Sequence, residues 1–140
     1  MAYDSDNVFA KILRDEIPAV KVYENEATLA FMDVMPQAPG HTLVIPKTAA
    51  QDLFDLPEGS ARAVLDTVCQ LAPAVRDGMR ADGLRIFQLN GATAGQTVFH
   101  YHVHLLPCYS DRPAREHGID MEDPAVLQQH AEKIRAALRA

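Results

Sequence analysis

Phe99-His100-Tyr101-His102-Val103-His104-Leu105, followed by Leu106-Pro107, alternates apolar and imidazole side chains at a period of two. Successive side chains on a β-strand point to opposite faces. His100, His102 and His104 would therefore share one face, and Phe99, Tyr101, Val103 and Leu105 the other. The pattern predicts a strand over residues 98–106, with Pro107 ending its regular part. An apolar core has little use for three imidazoles, because each buried nitrogen needs a partner. The row therefore points to chemistry. Two chemistries suit it: a metal site, since imidazoles at i and i+2 can reach one ion, and covalent catalysis by an imidazole nucleophile. The strand alone does not choose between them.

The preceding loop is Asn90-Gly91-Ala92-Thr93-Ala94-Gly95-Gln96-Thr97. Its glycines let backbone N–H groups approach an anion, and its amides and hydroxyls can donate to phosphate oxygens. It holds no carboxylate and no cysteine, so it suits a phosphate better than a cation. Further out, residues 57–80 carry Ala61, Val64, Leu65, Val68, Leu71, Val75 and Met79 at spacings of three and four. That spacing predicts an amphipathic helix, with Pro73 kinking or splitting it. Residues 84–89 read as a strand. Asp6 or Asn7 caps a first helix bearing Val8, Phe9, Ile12 and Leu13, and Pro18 ends it. Residues 20–23 and 28–34 form a hairpin about the turn at 24–26, and residues 41–45 form a third strand stopped by Pro46. Asp123-Pro124 opens a last helix to about residue 138. The order is helix, three strands, long helix, two strands, helix. It predicts one α+β domain with a mainly antiparallel sheet.

Bulk properties narrow the class. The chain has 140 residues, 48% of them hydrophobic and 23% charged, as expected of a folded domain rather than a disordered chain. No apolar run is long enough to span a bilayer, and the acidic start Met1-Ala2-Tyr3-Asp4-Ser5-Asp6 lacks the features of a secretory signal. The expectation is a cytoplasmic protein without membrane partners. The formal charge of −6 argues against a nucleic-acid partner but leaves room for a small phosphorylated ligand. Cys69 and Cys108 are too few for a disulfide framework and are expected to be a buried helical thiol and a strand-end thiol.

The histidine run, His100-Tyr101-His102-Val103-His104-Leu105-Leu106, resembles the signature of the histidine-triad (HIT) family. The likeness extends to residues 30–47, around Asp33 and the Pro39-Gly40-His41 turn. It also takes in Phe9-Ala10-Lys11-Ile12 with Glu16-Ile17-Pro18, and Gly95-Gln96-Thr97-Val98-Phe99. It covers residues 7–107 and is nearest to the Hint branch, leaving 108–140 as a variable extension. The resemblance implies a five-stranded antiparallel sheet and a homodimer whose sheets join into ten strands. It also implies cleavage at the α-phosphate of a purine nucleoside phosphoramidate or similar nucleotide, through a nucleotidyl-histidine and without a cofactor. Diadenosine polyphosphate hydrolysis is an alternative, as is nucleotide binding with little turnover.

The resemblance also implies residue roles. His102 is the nucleophile, which suits imidazole because its ordinary pKa of about 6.5 leaves it neutral near pH 7. His104 contacts the α-phosphate and leaving-group side, His100 orients the backbone or the His102 ring, and His41 supports them from the facing strand. Gln96, Thr97 and Asn90 serve the phosphate, and Asp33 the ribose hydroxyls. Val8, Phe9, Ile12, Phe31, Val34 and Leu43 form the base pocket. His117 and His130 match nothing and are expected at the surface. Many bacterial relatives carry a zinc whose ligand positions here look like Asn7, Ala10 and Ala49. With three ligands missing, no metal is expected.

Overall fold

The computed structural model describes residues 2–116 and 120–140. His117 lies outside the described residues. The elements run α1 (Val8–Leu13), β1 (Lys21–Glu24), β2 (Thr28–Met32), β3 (Thr42–Pro46), α2 (Glu58–Gly78), β4 (Gly83–Phe87), β5 (Val103–Cys108) and α3 (Pro124–Arg139), with a 3₁₀ turn at Ala92–Ala94 before β5. The five strands form one antiparallel sheet in the order β1-β2-β3-β5-β4, so the α+β reading and the five-stranded sheet hold.

The two faces of the sheet do different work. On one, Val22, Ala30, Val44, Val103 and Leu105 meet Val64, Val68, Leu71 and Val75 of α2 and Leu127, Ala131 and Ile134 of α3. This is the main core, and α3 is part of it. On the other, Phe9 and Ile12 of α1 pack over Leu29, Phe31, Leu43 and Ile45. That second layer stays thin and leaves the same face of β5 and β4 to His104 and Phe87, which are paired in register.

Local chemistry sets most boundaries. Asn7, not Asp6, caps α1, accepting from the Ala10 N–H. Asn25 closes the β1–β2 turn by accepting from the Ala27 and Thr28 N–H groups. Asp123 caps α3 and Pro124 fills its first turn. Pro73 does not split α2, which runs unbroken through 21 residues. The carbonyl it leaves without an N–H belongs to Cys69, which is exposed rather than buried, so water can satisfy it. The buried stripe of α2 holds the helix together across the proline. Among the described residues no helix is long and apolar enough to cross a membrane.

The largest departure from the sequence reading is β5. It starts at Val103 rather than at residue 98, and Pro107 lies inside it. Pro46, at the end of β3, has no N–H to offer a further rung, and the β3–β5 ladder ends at Val44 opposite Val103. Residues 98–102 run beside the 46–50 segment instead, tied by a bond from the Tyr101 N–H to the Ala50 carbonyl. Past Leu105, β5 pairs only with β4, so one side of the strand is already open where Pro107 falls.

Candidate active site

The three triad histidines leave the backbone in two different settings. His104 sits in β5 and His102 just before it, and their rings lie 5.0 Å apart. His100, in the bent segment, is buried away from them. Its Nε2 meets the Pro46 carbonyl at 2.8 Å, and its Nδ1 meets the Tyr3 hydroxyl at 2.5 Å.

The partners fix the tautomers. A carbonyl can only accept, so the Pro46 bond places the His100 proton on Nε2 and leaves a lone pair on Nδ1 for the Tyr3 O–H. Burial raises the Tyr3 hydroxyl above its ordinary pKa and lowers that of His100, the Pro46 carbonyl opposing the latter less strongly, so the donor stays protonated and the acceptor neutral. The His100 carbonyl then accepts from His102 Nδ1 at 2.7 Å. With its proton on Nδ1, His102 carries its lone pair on Nε2.

A second chain of bonds orders His104. The Gln37 N–H points at His41 Nδ1 at 3.1 Å, which requires a lone pair there. Asp33 Oδ2 lies 3.6 Å from the same nitrogen, beyond hydrogen-bond reach, so the N–H decides the tautomer. The His41 proton is thus on Nε2 and is donated to His104 Nδ1 at 2.9 Å. His104 keeps its own proton on Nε2. Phe87 stacks on the His104 ring at 4.3 Å and 7°, and Phe9 meets His102 edge-on at 5.0 Å. Neighbouring rings thus present opposite functions, a lone pair on His102 Nε2 and an N–H on His104 Nε2.

Asp33, His41 and His104 form the one group of three metal-capable side chains found among the described residues. His41 and His104 are hydrogen-bonded to each other, His41 also accepts from the Gln37 N–H, and Asp33 Oδ1 accepts from the Met35 N–H. A cation there would have to displace the His41–His104 hydrogen bond. Of the positions compared with zinc ligands, Asn7 caps α1, Ala10 is buried, Ala49 is exposed, and both His100 nitrogens have partners.

Two cavities meet at these rings. One, of about 570 Å³, is apolar and is lined by all six residues assigned to the base pocket, Val8, Phe9, Ile12, Phe31, Val34 and Leu43, with Asp33 at its wall. The other, of about 550 Å³, is lined by Gln37, Arg85, Phe87 and Gly95 among others. His102, His104 and Thr97 line both.

Two loop residues are placed otherwise than the phosphate-binding reading expects. The buried Gln96 amide accepts from the Gly91 N–H and donates to the Gln51 and Val98 carbonyls, so it clamps the loop and has no N–H left for a phosphate. Asn90 accepts from the Leu53 N–H and exchanges bonds with Gln88, and it lines neither cavity. Gly95 helps the loop turn, with φ at 104°, where a side chain would be strained. His130 is partly buried on α3, far in sequence from the site residues.

Sequence reasoning missed Tyr3, Gln37 and Arg85. Gln37 acts through its backbone N–H, which no side-chain pattern reveals. Tyr3 stands in a polar terminus with no periodicity to mark it.

A model of the HIT domain matches residues 14–111 of the chain. The chain belongs to the HIT family. "Protein hit" of Bacillus subtilis is 43% identical over 102 residues, which are 73% of this chain and 70% of that protein. A crystal structure titled as a Hit-like protein involved in cell-cycle regulation from Bartonella henselae superposes with a TM-score of 0.88 at 44% identity, covering 97% of this chain and 99% of the other. "Adenylylsulfatase HINT3" of Arabidopsis thaliana is 32% identical over 127 residues, 86% of this chain and 64% of that protein. Within this HIT protein, the matched region holds every expected site residue except Val8, Phe9 and Ile12, which α1 brings in from outside it.

Proposed function

We propose that this HIT protein is a nucleotide hydrolase that cleaves at the α-phosphate through a nucleotidyl adduct on His102. The observation that carries the reading is the opposed pair of tautomers at the boundary between two cavities. HIT membership supports it, as does a relative named as an adenylylsulfatase.

The apolar cavity takes a nucleoside, its base between Phe9, Phe31 and Leu43 and its ribose toward Asp33. A purine suits the depth and aromatic walls. The phosphate then lies beside His102, His104 and Thr97. The His102 Nε2 lone pair attacks phosphorus, a P–N bond forms, and the bond from phosphorus to the leaving group breaks with its electron pair. Positive charge appears on the His102 ring, where the Nδ1–H···O=C bond to His100 stabilises it. The His104 Nε2–H hydrogen-bonds the departing atom or hands it a proton, and the His41 bond holds that ring in place. Water then attacks phosphorus and gives up a proton, to His104 Nε2 where that nitrogen has passed its own to the leaving group and otherwise to solvent. The P–N bond breaks with its electron pair returning to His102 Nε2, and a nucleoside monophosphate leaves with His102 neutral again.

His102→Ala should lower kcat by at least about a thousandfold, as loss of a nucleophile does, with an unchanged circular dichroism spectrum. Mass spectrometry of wild-type protein quenched during turnover of adenosine 5′-phosphoramidate should show one added nucleotidyl group, absent from the variant. Undiminished turnover by His102→Ala would end the proposal.

A further inference from the structure

The polar cavity does not end at the histidines. Gln37 and Arg85 also line a second cleft of about 570 Å³, which continues away from the nucleoside. Its other walls include Arg112, Arg115, Tyr109 and Glu122. The chain carries 13 Lys and Arg against 19 Asp and Glu, yet three of its arginines and a single carboxylate line this one channel. Two of the arginines come from the segment after β5, which the histidine signature does not cover.

Two of the three arginines are anchored. The Arg112 guanidinium lies 4.2 Å over the Tyr109 ring, and the Tyr109 hydroxyl is within hydrogen-bond distance of the Pro39 and Met79 carbonyls at 3.1 and 3.0 Å. Arg115 is tied to the site loop by its N–H to the Gln37 carbonyl at 2.6 Å and by the Gln37 amide to its own carbonyl at 3.2 Å. Its guanidinium is 3.9 Å from Glu122, a long ion pair, and Arg112 is 3.6 Å from the exposed Asp111. Arg85 lies two residues before Phe87 on β4, on the strand face that carries the His104 stack.

We infer that this channel binds an oxyanion leaving group, a sulfate or a chain of phosphates, between Arg85, Arg112 and Arg115. The inference rests on the hydrolase reading and names the substrate class within it. The chemistry is consistent: when His102 attacks phosphorus, the bridging P–O bond breaks and its electron pair leaves on the sulfate or phosphate oxygen. Such a leaving group departs as a stable anion and takes no proton from His104. Guanidinium groups along its path stabilise the charge that develops on it. An amine leaving group gains nothing from three cations.

The test compares the wild-type protein with Arg112→Gln/Arg115→Gln and with the triple variant that adds Arg85→Gln. Rates are measured on adenylyl sulfate, diadenosine tetraphosphate and adenosine 5′-phosphoramidate. The ratio of kcat/KM for the oxyanion substrates over the phosphoramidate should fall about tenfold per arginine removed, the size of a charged hydrogen bond. A fall on the sulfate alone or on the tetraphosphate alone tells which oxyanion the channel takes. An unchanged ratio overturns the inference and leaves the hydrolase reading standing. Calorimetry with tripolyphosphate needs no turnover: wild-type binding that the triple variant loses supports the channel, and no wild-type binding overturns it. Absence of hydrolysis on all three substrates would refute the hydrolase reading instead.

Discussion

His100 shows how far a single residue's role depends on its partners. The alternation puts it on the face of His102 and His104, while the family resemblance gives it only an orienting role toward the backbone or the His102 ring. In the structure it is buried between Tyr3 and Pro46 and reaches the site only through its carbonyl. Period two was legible; the missing rung after Pro46 was not, because a ladder's end is set by its neighbour. Burial holds the His100 pKa below its ordinary value. The unfolded chain then takes up a proton more readily than the native one. The stability gained by keeping this ring neutral is fully present above the unfolded pKa of about 6.5 and is lost as pH falls through the lower native value. His100→Gln removes that pH-dependent part. Its cost in urea midpoint should therefore be larger at pH 8 than at pH 5. Equal costs at the two pH values would contradict a neutral buried imidazole.

At the scale of elements, the helices and β1–β3 followed from periodicity and punctuation, although Leu65 of the α2 stripe is exposed and β2 stops at Met32, short of the exposed Val34. What periodicity cannot express is how close two elements come. Gly78 ends α2 where α3 crosses it, and a Cβ added there would stand 2.7 Å from the Lys133 carbonyl oxygen and 3.1 Å from Ile134 Cα. Both atoms are backbone, so neither can turn aside as a side chain would. This glycine sits in a helix with nothing in its own segment to explain it, and its partner is 55 positions away in the sequence (133 minus 78). Gly78→Ala improves helix propensity, by up to about 1 kcal/mol. The clash should outweigh that gain and destabilise the protein by about 1–3 kcal/mol, the usual cost of overpacking. Ala61→Gly, on the same helix away from α3, should lose only the propensity term. A stabilised Gly78→Ala in chemical denaturation would show that α2 and α3 are less tightly seated.

For the whole molecule, the sheet has two edges of different character. At β1, Arg135 of α3 donates to the Lys21 carbonyl and blunts the edge. At β4, the last strand in the order, Ile86 is 50% exposed; Leu65, on the outward side of α2, is 61% exposed. Ile86 follows Leu84 by two residues and so shares its face, which packs toward the α2 side of the sheet. An open edge flanked by exposed apolar side chains is the geometry that a twofold partner completes, since an antiparallel strand can pair with its own copy about a dyad. Joining two β4 edges would give one sheet of ten strands, the assembly that the family resemblance implies. A dimer is therefore expected in light-scattering chromatography. Ile86→Asp places a charge where the second copy would pack and should shift the protein to monomer without loss of its circular dichroism signal. Arg85 and Phe87 alternate to the opposite face, but Ile86 also lines the polar cavity beside His102 and His104, so the oligomeric state and not the activity is the readout of this variant. A wild-type monomer at micromolar concentration, or an Ile86→Asp dimer, would place the apolar strip outside any self-association.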